Sequence, residues 1–232
     1  MNKSIETTPS VIVTMLIDSL YQDRLANWLV KSHWRPNKTQ MRELISHTLK
    51  PEDNNRKRTD FILPERRLIV TQYCQTGGFI RYDASFTEDN KLHGVYVENT
   101  QHYNSSPITF KMRTHYDNGR LEGPAERHLQ DGTVLKANFV RNAMTGNFTS
   151  VSDKVKAEAD VVGDKIHGHW SMDVNLDGLK FIVMGESWFS EIIRFTVIEG
   201  TKTVYEFKST RDYLSGVSGP DGNAYEEMAI AS

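Results

Sequence analysis

The sequence predicts a mainly β protein: an antiparallel meander of about ten strands built from short hairpins, preceded by two N-terminal α-helices. Three observations predict it. A turn motif recurs as Asn90-Lys-Leu-His-Gly94, Gly119-Arg-Leu-Glu-Gly123, Asn142-Ala-Met-Thr-Gly146 and Asp164-Lys-Ile-His-Gly168, its closing glycines 29, 23 and 22 positions apart. A second turn marker, Asp-Gly, stands at 131–132 and again two repeats later at 177–178. Between the turns, side chains alternate: Leu135, Ala137 and Phe139 fall on one face, and Lys136, Asn138 and Val140 on the other. Asn, Asp and Gly suit hairpin turns because they tolerate positive φ. One hairpin buries too little apolar area to stand alone, so the units must stack side by side.

Taken in order, Thr8-Pro9-Ser10 opens a first helix, with a hydroxyl cap and proline in the first turn. Val11, Met15, Ile17, Leu20, Tyr21, Leu25, Trp28 and Leu29 form its apolar side, and Pro36 ends it near Trp34. A second helix is predicted from Asn37, its cap, to Leu49, with Met41, Leu44 and Ile45 on its apolar stripe. Helices this short need a surface to dock on: the sheet that follows, or a partner. Residues 1–60 are thus a helical segment closed by a polar linker, whose Arg56-Lys57-Arg58 reads as a solvated loop.

The β domain spans 61–211. Strands are predicted at 68–73, 79–86, 95–98, 108–116, 125–129, 133–140, 147–151, 155–162, 167–174 and 179–185. The repeat fades after Trp188, leaving a closing hairpin, 192–198 with 203–207, around Glu199-Gly200-Thr201-Lys202. Residues 212–232, with Gly216, Gly219, Pro220 and Gly222, lose all period and read as a flexible tail.

Composition narrows the function classes. In 232 residues the formal net charge is −2, which gives no global attraction to nucleic acid. The apolar run Val11–Leu16 is far too short to span a membrane, and the N-terminus lacks a signal-peptide pattern. The single cysteine, Cys74, excludes an intramolecular disulfide and fits a cytoplasmic protein.

Tyr116-x-x-Gly119-x-x-x-Gly123 and Asp131-Gly132-x-x-Leu135-x-Ala137-x-Phe139-x-x-Asn142-x-x-x-Gly146 resemble the MORN-type repeat over about residues 86–185. Ala137, Asn142 and Phe148 stand where that repeat carries glycine, and an insertion falls around residues 99–107. The resemblance implies a non-catalytic scaffold for protein partners, as in antitoxin-like members of that group. The alternative architecture is a closed up-and-down, lipocalin-like barrel holding a small apolar ligand, a shape that also hosts cyclases, isomerases and lyases.

No nucleophile elbow, phosphate loop or dinucleotide fingerprint occurs. His167 and His169 share a strand face with Asp173 but lack a third identifiable ligand type, so neither a metal nor a cofactor is expected. The expected function is binding a macromolecular partner, with Tyr96, Tyr116 and Trp170 as exposed aromatic anchors beside an amphipathic N-terminal helix. In the barrel alternative the pocket would be lined by Tyr82, His169, Trp170 and Glu186. An open meander also leaves edge strands on which a homodimer would pair.

Overall fold

A computed structural model of the chain describes residues 17, 20, 21, 25, 27–49, 58–63, 66–73, 77–103, 105–176, 178–209 and 225–228. The predicted Thr8-Pro9-Ser10 cap, Arg56-Lys57, Cys74 and most of the glycine-rich C-terminal segment lie outside them. The chain divides into two compact units, Val30–Thr145 and Met1–Leu29 with Gly146–Ser232. This division cuts across the expected succession of helices, sheet and tail.

In the unit Val30–Thr145, helix α1 (Lys38–Leu49) precedes β1 (Arg58–Leu63), β2 (Arg67–Tyr73), β3 (Gly77–Ser85), β4 (Gly94–Tyr103), β5 (Thr109–Asp117), β6 (Arg120–Leu121), β7 (Gly123–His128), β8 (Val134–Val140) and β9 (Ala143–Met144). The ladder runs β1-β2-β3-β4-β5-β7-β8, all antiparallel, while the short β6 and β9 pair back onto β5 and β8. In the other unit, β10 (Gly146–Val151), β11 (Val155–Val162), β12 (Lys165–Leu176), β13 (Leu179–Trp188), β14 (Glu191–Glu199), β15 (Lys202–Ser209) and β16 (Tyr225–Met228) also pair antiparallel in chain order. The strand β16, within the stretch read as a tail, pairs with β15.

These are open meanders. Within each unit the first and last strands do not meet, which overturns the closed barrel and with it a lumen for an apolar ligand.

The repeat motif is what keeps neighbouring ribbons in register. Its first residue adopts positive φ each time: Asn90 (57°), Gly119 (79°), Asn142 (72°) and Asp164 (68°). Its third residue, Leu92, Leu121, Met144 or Ile166, is buried. In the last three copies the preceding residue, Asn118, Arg141 or Gly163, also has positive φ, the signature of a two-residue type I′ turn. A fifth copy, Phe189-Ser190 (46° and 73°), continues the pattern past Trp188, where the sequence motif fades. The buried residue's carbonyl then accepts from the next turn: Gly119 N–H donates to Leu92 O (2.7 Å), Asn142 N–H to Leu121 O (2.9 Å) and Ser190 N–H to Ile166 O (2.7 Å).

The predicted first helix is broken at its C-terminal end. Ile17 and Leu20 are helical, but residues 27–29 and 31–34 form separate tight 3-10 turns, with Val30 extended between them (φ −66°, ψ 118°). Packing overrides helical propensity here: the fully buried Trp34 reaches Phe139 edge-on, ring centroids 5.7 Å apart. In the other unit, buried Tyr21 lies 5.1 Å from Trp170, and Trp28 lies 6.5 Å from Phe148. The second helix begins as predicted, through a reciprocal capping box: Gln40 N–H donates to Asn37 Oδ1 (2.9 Å), and Asn37 N–H donates to Gln40 Oε1 (2.7 Å).

Candidate functional site

The expected exposed anchors are not exposed. Tyr96 (0%), Tyr116 (5%) and Trp170 (2%) are buried, so they belong to the packed face of their strands. Alternation explains the error. In β4, Tyr96 and Glu98 turn inward while Val95 and Val97 are half-buried on the opposite face, so composition alone favours the wrong side. The residues grouped for the barrel pocket fall in different units. Tyr82 is buried in Val30–Thr145, whereas His169 is exposed and faces Glu186 across the β12–β13 pair. Glu186 accepts from Arg194 Nε at 2.8 Å. Among the described residues, no three or more His, Cys, Asp or Glu side chains gather into a metal-binding group.

A site does emerge in Val30–Thr145, at the entrance to α1. Arg35 precedes a proline and is extended (φ −129°, ψ 150°), as sterics require. Pro36 and the capping box then start α1, placing Lys38 and Arg42 one helical turn apart and exposed, with Met41 beside them. The turn Asn90–Leu92 and the strand end Tyr116–Gly119 complete a cleft of about 480 Å³, lined also by Arg35 and Lys91. Pro36, Met41, Leu92 and Tyr116 supply its apolar surface.

The charge of this cleft is one-sided. Arg35, Lys38, Arg42 and Lys91 line it and, among the described residues, no acidic side chain does. The first turn of α1 contains no acid to offset the positive end of the helix dipole. Lys91 is only loosely compensated, by the exposed Asp89 at 3.7 Å. Arg35 is held in place by donating through its NH2 to Asn142 Oδ1. Among the described residues neither Lys38 nor Arg42 has an ion-pair partner.

A smaller cavity of about 170 Å³, also lined by Arg35, has His33, Asn37, Gln40, Glu98, Lys111, Met112 and Arg127 around it. Glu98 is 3% exposed. Its Oε2 accepts long bonds from Gln40 Nε2 and Tyr96 O–H, both 3.4 Å. Gln40 Nε2 also donates to Tyr82 O–H at 3.3 Å. Burial, reinforced by the nearby Glu98 carboxylate, holds the Tyr96 phenol well above the usual tyrosine range. Burial lowers the pKa of Arg127, and Glu98 opposes that shift. Arg127 NH1 donates to His33 O.

Neither cavity was legible in sequence, because each joins residues separated by 40 or more positions. The signal that pointed nearest was Pro36 with the Asn37 cap, which fixes where α1 starts.

Comparison of the chain with protein-family models and with curated proteins gives no match. What the fold defines is the class: a mainly β protein of antiparallel hairpins in open meanders.

Proposed function

We propose that this is a non-catalytic binding protein of the cytoplasm, in which an acidic segment of a protein partner docks in the Arg35–Lys38–Arg42–Lys91 cleft. The observation that carries this reading is the pairing of four cationic side chains, and among the described residues no acidic one, with an apolar floor of Pro36, Met41, Leu92 and Tyr116. Such a surface favours an anionic segment that also brings an aliphatic or aromatic side chain: charge steers the encounter and apolar contact holds the complex. An adaptor role, or an antitoxin- or immunity-like one, fits a scaffold of this kind. No helix among the described residues is long and apolar enough to cross a membrane.

The test uses a fluorescent peptide rich in Glu and Asp with one Leu and one Phe. It should bind saturably, and binding should weaken as salt rises. The double variant Lys38→Glu/Arg42→Glu should lose about tenfold or more in affinity, equivalent to one or two exposed ion pairs in an aligned site, while keeping its circular dichroism spectrum. Equal binding by that variant would defeat the reading.

A further inference from the structure

We propose that the outward face of β2–β5 in Val30–Thr145 binds single-stranded nucleic acid, its bases stacking on exposed aromatic rings. The strand registers lay that face out in rows. Tyr73 pairs with Phe79, and Phe79 with Gln101. In the next row Arg81 pairs with Asn99, and Asn99 with Phe110. Directly paired residues point to the same side of a sheet, and Tyr103, two positions beyond Gln101 on β4, joins them. This side is opposite the one on which Gln40 of α1 reaches Tyr82 and Glu98. Tyr73 is 52% exposed, Tyr103 58% and Phe110 45%, and Phe79 is half-buried beside Tyr73. Four successive strands thus each present one ring. Strands lie about 5 Å apart, so the rings span roughly 15 Å, room for two or three splayed bases. The His128 ring meets Phe110 edge-on at 6.3 Å and helps to fix it.

Charge selects the occupant. The row beyond Arg81 and Asn99 runs through Asp83, Val97, Arg113, Glu126 and Lys136. Both of its carboxylates are engaged: Asp83 accepts from Arg67 Nε at 2.8 Å and NH2 at 2.6 Å, and Glu126 Oε1 is bonded to His128 Nε2 at 2.7 Å. Arg81, Arg113 and Lys136 are exposed, and among the described residues none of the three has an ion-pair partner. The whole chain carries −2, yet the uncompensated charge beside the rings is positive. Open π-faces next to unpaired cations match a base and its phosphate, since the ring takes the one and the guanidinium the other. A neutral sugar would use the rings and leave the cations idle. A duplex keeps its base faces stacked, so it could use only the cations.

The experiment is fluorescence anisotropy of the whole chain with labelled oligo-dT and oligo-rU of about ten nucleotides, a common footprint for such surfaces. At least one should bind saturably, more weakly as salt rises, and a duplex of equal length should bind at least about tenfold more weakly. Tyr73→Ala/Phe110→Ala should lose about tenfold or more, the worth of one or two stacked bases, while Tyr73→Phe keeps the ring and the affinity. Arg81→Gln/Arg113→Gln should weaken binding and flatten its salt dependence. These side chains are exposed or partly so, and an unchanged circular dichroism spectrum checks that each variant folds. Equal affinity for the duplex, equal affinity for Tyr73→Ala/Phe110→Ala, or capture of a neutral glucan with no oligonucleotide binding would overturn the proposal. So would loss of oligonucleotide binding in Lys38→Glu/Arg42→Glu, which would place the nucleic acid in the cationic cleft. The two sites share no residue, so either reading can fail alone.

Discussion

Asn142 holds Leu121 by both of its backbone polar groups: the Asn142 N–H donates to Leu121 O at 2.9 Å, and Asn142 Oδ1 accepts from Leu121 N–H at 2.7 Å. Ser190 treats Ile166 in the same way, donating from its N–H at 2.7 Å and accepting through Oγ at 3.2 Å. Both clamps sit at the positive-φ position of a repeat turn. The turn residue therefore does two jobs: it reverses its own hairpin and fastens the buried aliphatic residue of the hairpin before it.

Replacing Asn142 separates those jobs. Asn142→Ala orphans the Leu121 N–H, costing about 1–3 kcal/mol, and leaves at φ 72° a residue without the short polar side chain that lets Asn tolerate that region, costing about 1 kcal/mol more. Asn142→Gly loses only the first contribution. Asn142→Asp keeps the acceptor and gains charge beside Arg35. Urea midpoints should rank Asp at or above Asn, then Gly, then Ala, with unchanged slope. Equal midpoints for Gly and Asn would show that the Oδ1 bond contributes nothing.

Gly185 is required by a ring rather than by its backbone angle. A Cβ there would stand 2.1 Å from Trp170 Cζ2 and 2.3 Å from Cε2. Trp170 cannot retreat, because it is buried and its Nε1 donates to Ser187 Oγ at 2.9 Å. Gly185→Ala should cost about 1–3 kcal/mol by overpacking, with a change in tryptophan emission. Gly178→Ala, where a Cβ meets open space at φ 90°, should cost only backbone strain and leave the emission unchanged.

How far the sequence could be read follows from which interactions are local. Turn chemistry is local, so Asn90, Gly119, Asn142 and Asp164 announced four ribbons, and Gly200 announced the closing hairpin. The fifth turn, Phe189-Ser190, escaped because a bulky Phe at φ 46° is held by neighbours that sequence does not reveal. His167 packs 4.5 Å from both Trp188 and Phe189. Strand facing was legible where alternation was clean, as in Leu135, Ala137 and Phe139. It failed in β4, where the buried face holds a carboxylate, Glu98, whose compensation by Gln40 and Lys111 is long-range. The cationic cleft depends on Arg35 and Lys91 meeting across 56 positions, and no spacing rule contains that.

Ser187 joins two aromatic residues of the other unit. Its Oγ accepts from Trp170 Nε1 at 2.9 Å and is hydrogen-bonded to the Tyr21 hydroxyl at 2.9 Å, while Ser187 itself is 1% exposed. Ser187→Ala should destabilise by about 2–4 kcal/mol, because a buried indole N–H loses its acceptor and a buried hydroxyl keeps only its long contact to Ser190 O. Adding Tyr21→Phe should cost less in that background than in the wild type, since the hydroxyl has already lost its partner. Strict additivity in chemical denaturation would argue against the three-residue link.

The same burial gives the fold an alkaline limit. Burial pushes the Tyr21 hydroxyl up to about 12, opposed by its bond to Ser187. Burial likewise pushes Tyr116 up to about 12, opposed by Thr114 and Arg35. In the unfolded chain both titrate near the ordinary value of about 10. Between those values the unfolded state has released protons that the folded state still holds, so stability falls as pH rises. Their contribution is complete below about pH 10 and is lost progressively as pH climbs through about 12. The urea midpoint should therefore hold level with respect to these groups up to about pH 9.5 and then drop. Tyr21→Phe and Tyr116→Phe should each flatten the drop, because a ring with no ionisable hydroxyl has nothing to release on unfolding. A midpoint that declines equally steeply in both variants would mean that other groups set the alkaline limit.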